Sequence, residues 1–165
     1  MNILVIFAAE YIFIVSILII LAYTIYLWFK NRNNFFKFLA LSLLSFPLSY
    51  LISRITELII YDPRPFVVEH VKPLIAHAAD NGFPSDHMLL TVTIAAVVFI
   101  YNRKLGALLT LIAICIGTAR VLAKVHHVED ILGSIIIAII ATIIAFFINK
   151  RFRFDESDFF NFLHH

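Results

Sequence analysis

The amino-acid sequence predicts an all-α protein, a polytopic bundle of about five membrane-spanning helices. Of its 165 residues, 62% are hydrophobic and only 15% are charged. A soluble domain carries roughly 45–50% apolar and about 25% charged residues, so this chain has too few polar residues to cover a soluble surface. The hydrophobic residues also fall in long runs that short polar breaks separate. These observations together indicate a membrane protein.

Five apolar runs define the predicted spans, because a helix needs about 20 mostly apolar residues to cross a bilayer. They lie near residues 3–29, 35–61, 87–101, 105–122 and 131–148. The third run is short, so we expect its ends to extend into the flanking polar residues. No internal repeat or low-complexity linker divides the chain. The runs predict a single transmembrane domain over residues 1–150 and a short tail at 151–165.

The basic residues predict the orientation, since Lys and Arg in short loops favour the cytoplasmic side. The breaks at 30–37 and 102–104 and the start of the tail carry basic residues without acidic ones. The breaks at 62–86 and 123–130 mix both signs and hold nearly every unusual polar residue outside the tail. We therefore expect the N-terminus outside, the C-terminus in the cytoplasm, and the two mixed breaks together at the outer face.

The outward breaks contain residue types that bind an oxyanion. Arg64 and Arg120 supply planar, permanently charged groups that match phosphate geometry. Ser85 is placed as the N-cap of the third run, where the first backbone N–H groups are unpaired and attract anions. The neighbouring Asp86 either contributes to this site or only stabilises the start of the helix.

A histidine and a carboxylate four residues apart form the candidate nucleophile. If the last helix begins before His126, this spacing places His126 and Asp130 on one helix face. Asp130 would then accept a hydrogen bond from one imidazole nitrogen and leave the other nitrogen free to attack. His87, in the opposite loop, is the candidate proton donor to the leaving group.

These segments resemble the signatures of the type 2 phosphatidic acid phosphatase superfamily, which are Lys-x6-Arg-Pro, Pro-Ser-x-His and Arg-x5-His-x3-Asp. The matches are Arg64-Pro65, then Pro84-Ser85-Asp86-His87, then Arg120 with His126 and Asp130. The resemblance covers residues 57–134. The local sequences at 62–67 and 79–87 are most similar to the bacterial undecaprenyl pyrophosphate phosphatases of this superfamily.

The resemblance implies a membrane lipid phosphatase that needs no metal and no other cofactor. His126 would attack the terminal phosphorus and form a phosphohistidine, Asp130 would hold the imidazole, and His87 would protonate the leaving group. The phosphoryl oxygens would bind to Arg64, Ser85, Asp86 and Arg120. The implied reaction converts undecaprenyl pyrophosphate to undecaprenyl phosphate and inorganic phosphate at the periplasmic or extracellular face. The implied partners are this lipid diphosphate and membrane lipids, with no nucleic acid, and the oligomeric state is left open.

The chain departs from the family pattern at Glu57, where the family has lysine. A carboxylate at this position weakens a phosphate site, and Lys72 or Lys124 is a candidate to supply the missing charge from a nearby loop. Arg54 lies three residues before Glu57. Charged residues within a membrane usually pair, so we expect a mutual salt bridge, with a role in the substrate pocket as the alternative.

Other functions stay open at this stage. Phosphatidate or phosphatidylglycerophosphate is the alternative substrate, and a small transporter is the alternative of a different class. A transporter needs polar residues near the middle of the membrane from several spans, whereas here they cluster at one face. His70 and His77 resemble metal ligands, but no third ligand at a suitable spacing accompanies them. We expect both histidines to face solvent or lipid headgroups.

Overall fold

The computed structural model describes residues 2–152, and the long elements in this part of the chain are helices. They are α1 (Asn2–Glu10), α2 (Ile12–Lys30), α3 (Arg32–Ile59), α4 (Pro65–Val68), α5 (Asp86–Tyr101), α6 (Arg103–Leu122) and α7 (Val128–Phe152). The described residues contain no β-strand beyond one isolated bridge between Pro63 and Asn81. The predicted all-α fold is confirmed. The predicted tail at 151–165 lies outside the described residues except for its first two residues, which end α7.

Four segments are long and apolar enough to cross a membrane, namely Asn2–Lys30, Arg32–Ile59, Arg103–Leu122 and Val128–Phe152. The fifth apolar helix, α5, has 16 residues and contacts α2, α3, α6 and α7. It begins at Asp86, so the expected extension into the polar flanks amounts to one residue. These helices confirm the predicted membrane bundle, with α5 packed at its centre.

The first apolar run is not one continuous helix, because it is interrupted at Tyr11 between α1 and α2. Ala9 of α1 belongs to an apolar cluster at the C-terminal end of α6, with Ile75, Ala119, Ala123 and Val125. The 19 residues of α2 are about 28 Å long at 1.5 Å per residue, close to the thickness of the hydrocarbon core. α2 alone is therefore long enough to cross the membrane, while α1 packs against the polar end of the bundle.

Capped one-residue turns join the helices at the opposite end. Asn31 Oδ1 accepts a hydrogen bond from the backbone N of Asn34 at 3.0 Å, and Asn102 Oδ1 accepts one from Leu105 at 3.1 Å. Such caps satisfy backbone N–H groups that the first turn of a helix leaves free. Because these turns join α2 to α3 and α5 to α6 at one end, the two longer connections lie together at the other end.

Small side chains lie where α3 and α7 pack against each other. The buried residues of α3 include Ser42, Ser45, Ser49 and Ser53, and those of α7 include Ser134, Ala138, Ala141 and Ala145. Small residues let membrane helices approach closely. The close packing fixes the end of α3 beside the start of α7, where the polar residues are found.

Candidate active site

The long connection between α3 and α5 is folded back on itself around Asn81. The Oδ1 atom of Asn81 accepts a hydrogen bond from the backbone N of Asp62 at 2.9 Å, and its Nδ2 donates to the Ile60 carbonyl at 2.8 Å. A Cβ at the next residue, Gly82, would lie 3.0 Å from Asp130 Oδ2 and 3.1 Å from the Asp62 carbonyl. Glycine therefore lets this loop approach the start of α7.

A cavity of about 160 Å³ opens between this loop, the end of α3, the start of α5 and the connection from α6 to α7. Its lining is mostly charged or polar and comprises Arg54, Glu57, Arg64, His77, Asp80, Asn81, Pro84, Asp86, His87, Arg120 and His126. Six of the predicted site residues line this cavity: Glu57, Arg64, Asp86, His87, Arg120 and His126. The fold thus brings together residues that are widely separated in sequence.

His126 lies between two guanidinium groups and a carboxylate and is 2% exposed. Its Nε2 is 3.3 Å from Arg64 Nη1 and 3.3 Å from Arg120 Nη2, while its Nδ1 is 3.2 Å from Asp130 Oδ2. A guanidinium group only donates hydrogen bonds, so Nε2 accepts and carries no proton. The proton is therefore on Nδ1, where Asp130 accepts it. The lone pair of Nε2 faces two cations.

The contact between His126 and Asp130 forms without the helical turn that the spacing suggested. α7 begins at Val128, so His126 precedes the helix, and the premise that the last helix begins before His126 is wrong. Asp130 Oδ2 also accepts a hydrogen bond from the backbone N of His127 at 2.9 Å. The carboxylate pairs with a backbone donor beside the helix start, where free N–H groups favour an acidic side chain.

The surroundings of His126 keep its imidazole neutral. Burial lowers the pKa of His126 below its ordinary value, and the charges of Arg120 and Arg64 lower it further, against the opposing hydrogen bond to Asp130. A neutral imidazole has the free lone pair that nucleophilic attack requires.

The two arginines are buried and anchored by oxygen atoms. Arg64 donates from Nη1 to the Val125 carbonyl at 2.8 Å and from Nε to Asp80 Oδ1 at 2.6 Å. Burial alone would raise the pKa of Asp80, but the hydrogen bond and charge of Arg64 outweigh it and lower that pKa. Arg120 donates from Nη1 to the Ala9 carbonyl at 3.1 Å. This carbonyl lies at the end of α1, where the helix leaves carbonyls free.

The start of α5 carries three more of the predicted residues. Ser85 occupies the N-cap position, as the sequence predicts, and its Oγ is buried with no hydrogen-bond partner among the described residues. Asp86 is exposed and forms an ion pair with Arg54. The ring of His87 packs edge-on against Phe13 of α2, with 4.6 Å between centroids. Ser85 and Asp130 are buried and are not among the residues that line the cavity.

The structure does not bring the two candidate accessory lysines to this cavity. Lys124 Nζ pairs with the Glu69 carboxylate at 2.9 Å, and Lys72 is exposed on the loop after α4. Lys124 is thus neutralised at the surface, which corrects the expectation that it compensates for Glu57. Glu57 pairs with Arg54 instead, 2.7 Å from Oε2 to Nη1, so the predicted salt bridge is confirmed.

His77 lines the cavity, so the expectation that it faces solvent or lipid headgroups is wrong. Its ring lies 6.1 Å from that of His126, centroid to centroid. Burial, followed by the charges of Arg64 and Arg120, lowers the pKa of His77. The sequence carries no motif that marks this residue, because its position depends on how the loop folds back.

A second polar group includes Asp130, the partner of His126. Asp62, His127 and Asp130 place ligand atoms within 4.8 Å of one another, close enough to hold a metal ion. No sequence motif marks this group, because Asp62 lies far along the chain from the other two. His127 Nδ1 is 3.2 Å from Asp62 Oδ2. Burial first, and then the charge of Asp130, raises the pKa of Asp62, against the opposing charge of His127.

An apolar groove of about 410 Å³ lies between α5, α6 and α7. It begins at Met88, beside His87, and extends to Phe99 and Ile100 near the other end of α5. The groove thus runs along most of the length of α5.

A helical membrane bundle with a carboxylate-held histidine between two arginines at one end belongs to the class of integral membrane phosphatases. The PAP2 superfamily pattern matches residues 38–154, and the chain belongs to this superfamily. It is 33% identical over 135 residues, 82% of this chain and 68% of the relative, to the undecaprenyl-diphosphatase BcrC of Bacillus subtilis (strain 168).

Two further similarities, one in sequence and one in structure, accompany this match. Over 155 residues, 93% of this chain and 74% of the relative, the chain is 26% identical to the bacitracin transport permease protein BcrC of Bacillus licheniformis. Its fold matches the crystal structure of Aquifex aeolicus LpxE with a TM-score of 0.70 at 25% identity, covering 87% of this chain and 85% of that one. The family resemblance inferred from the three motifs is confirmed.

Proposed function

We propose that the protein hydrolyses undecaprenyl diphosphate to undecaprenyl phosphate and inorganic phosphate. The observation that carries this proposal is the unprotonated Nε2 of His126 between the guanidinium groups of Arg64 and Arg120, with Asp130 on the opposite nitrogen. The similarity to the undecaprenyl-diphosphatase BcrC supports the choice of substrate.

In the first step, oxygens of the terminal phosphate replace Nε2 as acceptors for Arg64 and Arg120. Nε2 of His126 attacks the phosphorus, an N–P bond forms, and the bond from phosphorus to the bridging oxygen breaks. Asp130 stabilises the imidazole as it gains positive charge. His87 gives its proton to the leaving undecaprenyl phosphate.

In the second step, a water molecule attacks the phosphohistidine. His87, now without its proton, accepts one from this water, and the N–P bond breaks. Inorganic phosphate leaves, Nε2 regains its lone pair, and His87 is protonated for the next cycle. The Ser85 hydroxyl and the free N–H groups of the first turn of α5 are further donors to the phosphoryl oxygens.

Two features favour a lipid over a soluble substrate. The cavity lies at the ends of apolar helices, so a headgroup at the depth of the membrane interface reaches it from the side. The apolar groove beginning at Met88 offers a place for part of a hydrocarbon chain beside His87. The distribution of basic residues further supports a site at the outer face.

The placement of charge also weighs against transport, the function printed for the B. licheniformis relative. The charged residues that line the cavity lie at helix ends and in loops, and Arg54 and Glu57 belong to the last turns of α3. A transport path requires polar residues near the membrane midplane from several spans. Phosphatidate and phosphatidylglycerophosphate remain the alternative substrates for the same chemistry.

Phosphate release from a panel of lipids in detergent tests the proposal, with polyprenyl diphosphate, phosphatidate and phosphatidylglycerophosphate as substrates. We expect the highest kcat/KM for the polyprenyl diphosphate. His126→Ala, matched by His70→Ala in the exposed part of the outer loop, should abolish release without loss of folded protein. A clear preference for phosphatidate or phosphatidylglycerophosphate assigns the alternative substrate, and a wild-type protein inactive on the whole panel contradicts the enzyme assignment.

A further inference from the structure

We infer that Arg54 is the third phosphate-binding cation of this site and that it recognises the second, lipid-attached phosphate of a diphosphate. It would take the place of the lysine that the family carries at the position of Glu57, from one helical turn earlier. This inference rests on the proposed function and deepens it, because it assigns the residue that separates diphosphates from monophosphates.

The position of Arg54 on α3 brings its side chain to the cavity. Arg54 and Glu57 are three residues apart, so they lie on the same face of the helix near its C-terminal end. Arg54 Nη1 pairs with Glu57 Oε2, and its Nη2 pairs with Asp86 Oδ1 across the cavity. The side chain thereby links the end of α3 to the start of α5, directly beside His87.

The three arginines of the cavity differ in how much of each is exposed to solvent. Arg64 and Arg120 are 5% and 2% exposed and both contact Nε2 of His126, so they bind the phosphoryl group that is attacked. The Arg54 side chain is 36% exposed and lines the same cavity nearer its mouth. A diphosphate whose terminal phosphate sits against His126 extends its second phosphate away from that histidine. Arg54 is the remaining arginine of the lining.

Arg54 retains donors for an incoming anion. A guanidinium group has five N–H donors, and the ion pairs with Glu57 and Asp86 each engage one of its terminal nitrogens. Glu57 and Asp86 balance its charge in the ligand-free site and hold it at the cavity. A second phosphate competes with these two carboxylates for Arg54. A monophosphate, whose single phosphate lies between Arg64 and Arg120, gains little from this cation.

The carboxylate at the family's lysine position therefore has a physical role. Glu57 does not contact phosphate but holds Arg54, one turn away, in a pocket-facing orientation. Neither Lys72 nor Lys124 lines the cavity, so Arg54 is the cation that the structure offers in place of the missing lysine.

The test compares kcat/KM for polyprenyl diphosphate and polyprenyl monophosphate in Arg54→Gln, Arg54→Lys and wild-type protein. Losing a hydrogen bond to a charged group should lower the diphosphate-to-monophosphate ratio about 10- to 100-fold in Arg54→Gln, mainly through KM. Arg54→Lys, which keeps the charge, should recover part of the ratio. The inference is overturned if the ratio in Arg54→Gln stays within threefold of the wild-type ratio. This holds whether kcat/KM falls equally for both substrates or for neither.

Removing Arg54 alone leaves Glu57 and Asp86 without their partner, and this change can destabilise the protein. The Arg54→Gln/Glu57→Gln variant also removes one of these carboxylates. The Arg54→Lys variant keeps a positive charge beside both of them. If Arg54→Gln does not fold, the diphosphate-to-monophosphate ratio of kcat/KM is measured in these two variants instead. A lowered ratio in the double variant supports the inference, and an unchanged ratio contradicts it.

Inhibition by inorganic pyrophosphate and orthophosphate separates this inference from the proposed substrate. A wild-type protein that prefers phosphatidate contradicts the proposed function, whatever Arg54 does. With any substrate that is turned over, Arg54→Gln should weaken inhibition by pyrophosphate at least tenfold more than inhibition by orthophosphate. Equal weakening of both, or none, removes Arg54 as the ligand of the second phosphate.

Discussion

At the scale of single residues, the site depends on which nitrogen of His126 carries the proton. Two guanidinium groups beside Nε2 and a carboxylate beside Nδ1 leave one tautomer that satisfies all the donors and acceptors. The same arginines lower the pKa of the imidazole, and in the proposed reaction they bind the phosphate that it attacks. The ligand-free site thus already holds His126 in the protonation state that the proposed attack on phosphorus requires.

The pH dependence of Asp130→Asn tests this arrangement. The neutral imidazole is the active form, so kcat/KM falls as pH drops through the pKa of His126, which lies below its ordinary value of about 6.5. The hydrogen bond to Asp130 raises this pKa, so its loss should move the acid limb to lower pH. The rate should also fall about 10²–10⁴-fold, the range that positioned acid–base groups contribute.

The neighbouring exposed carboxylate provides the control for this experiment. Glu129→Gln changes a charge in the same first turn of α7 and should leave the acid limb in place. An acid limb that stays fixed or moves to higher pH in Asp130→Asn would show that the carboxylate does not support a protonated imidazole.

Chelation tests the role of the group formed by Asp62, His127 and Asp130. We expect phosphate release to survive exhaustive treatment with EDTA, because the two arginines already supply the charge that stabilises the transferring phosphoryl group. Vanadate should inhibit, since it mimics the pentacoordinate phosphorus. Activity that is lost on chelation and restored by added magnesium, but not restored in Asp62→Asn, would instead make this group a metal site.

The sequence predicts those site residues whose motifs are local. Arg120, His126 and Asp130 lie within eleven positions, and their spacing together with the family motif predicts a histidine held by a carboxylate, although the contact forms before α7 begins. Residues such as His77 and Asp62 could not be predicted, because their place in the site depends on the path of the loop before α5. The Asn81-Gly82 pair, a common turn signal, is the feature that indicates this fold-back.

At the scale of helices, hydropathy predicts where the chain meets the membrane but not where a helix is interrupted. The break at Tyr11 lies inside the predicted first span, directly after Glu10, and it frees the Ala9 carbonyl that accepts a hydrogen bond from Arg120. The first residue of α7 could not be predicted either, because hydropathy does not show where a helix begins. A side chain beside the helix start, Asp130, binds the backbone N of His127 and fixes the entry of the chain.

Two glycines at helix contacts give a matched pair of substitutions. A Cβ at Gly106 would lie 2.4 Å from the Phe99 Cα, whereas a Cβ at Gly133 would lie 2.2 Å from the Phe83 ring. A backbone cannot yield as a ring can, so Gly106→Ala should destabilise the bundle by about 1–3 kcal/mol. Gly133→Ala should instead displace Phe83, two residues before Ser85, and lower kcat/KM.

Thermal unfolding in detergent and phosphate release measured on the same samples distinguish the two effects. We expect the lower Tm in Gly106→Ala and the lower kcat/KM per folded molecule in Gly133→Ala. The reverse assignment, or an unchanged kcat/KM in Gly133→Ala, would show that the position of Phe83 does not control the site.

At the scale of the whole molecule, the alternation of helix directions collects the chemistry at one end. The C-terminal ends of α3 and α6 and the N-terminal ends of α5 and α7 meet there, so both arginines, His126 and Asp130 share one face. This follows from the number and order of the apolar runs, which is why the convergence of the motifs could be predicted without coordinates. Which side of the membrane that face occupies depends on the basic residues at the other end.

Labelling of single cysteines tests the predicted orientation, with the N-terminus and the active site outside. Cys115 is exposed on α6 and is replaced by serine in the background protein. Asn33 and Ala79 are exposed and lie at opposite ends of the bundle, at the start of α3 and in the loop before α5. The positive-inside rule predicts that an impermeant thiol reagent applied to intact cells labels Ala79→Cys and spares Asn33→Cys until the membrane is permeabilised. The opposite pattern would place phosphate release on the cytoplasmic side and exclude a role at the outer face, whereas labelling of both sites from outside would contradict the bundle's arrangement across the membrane.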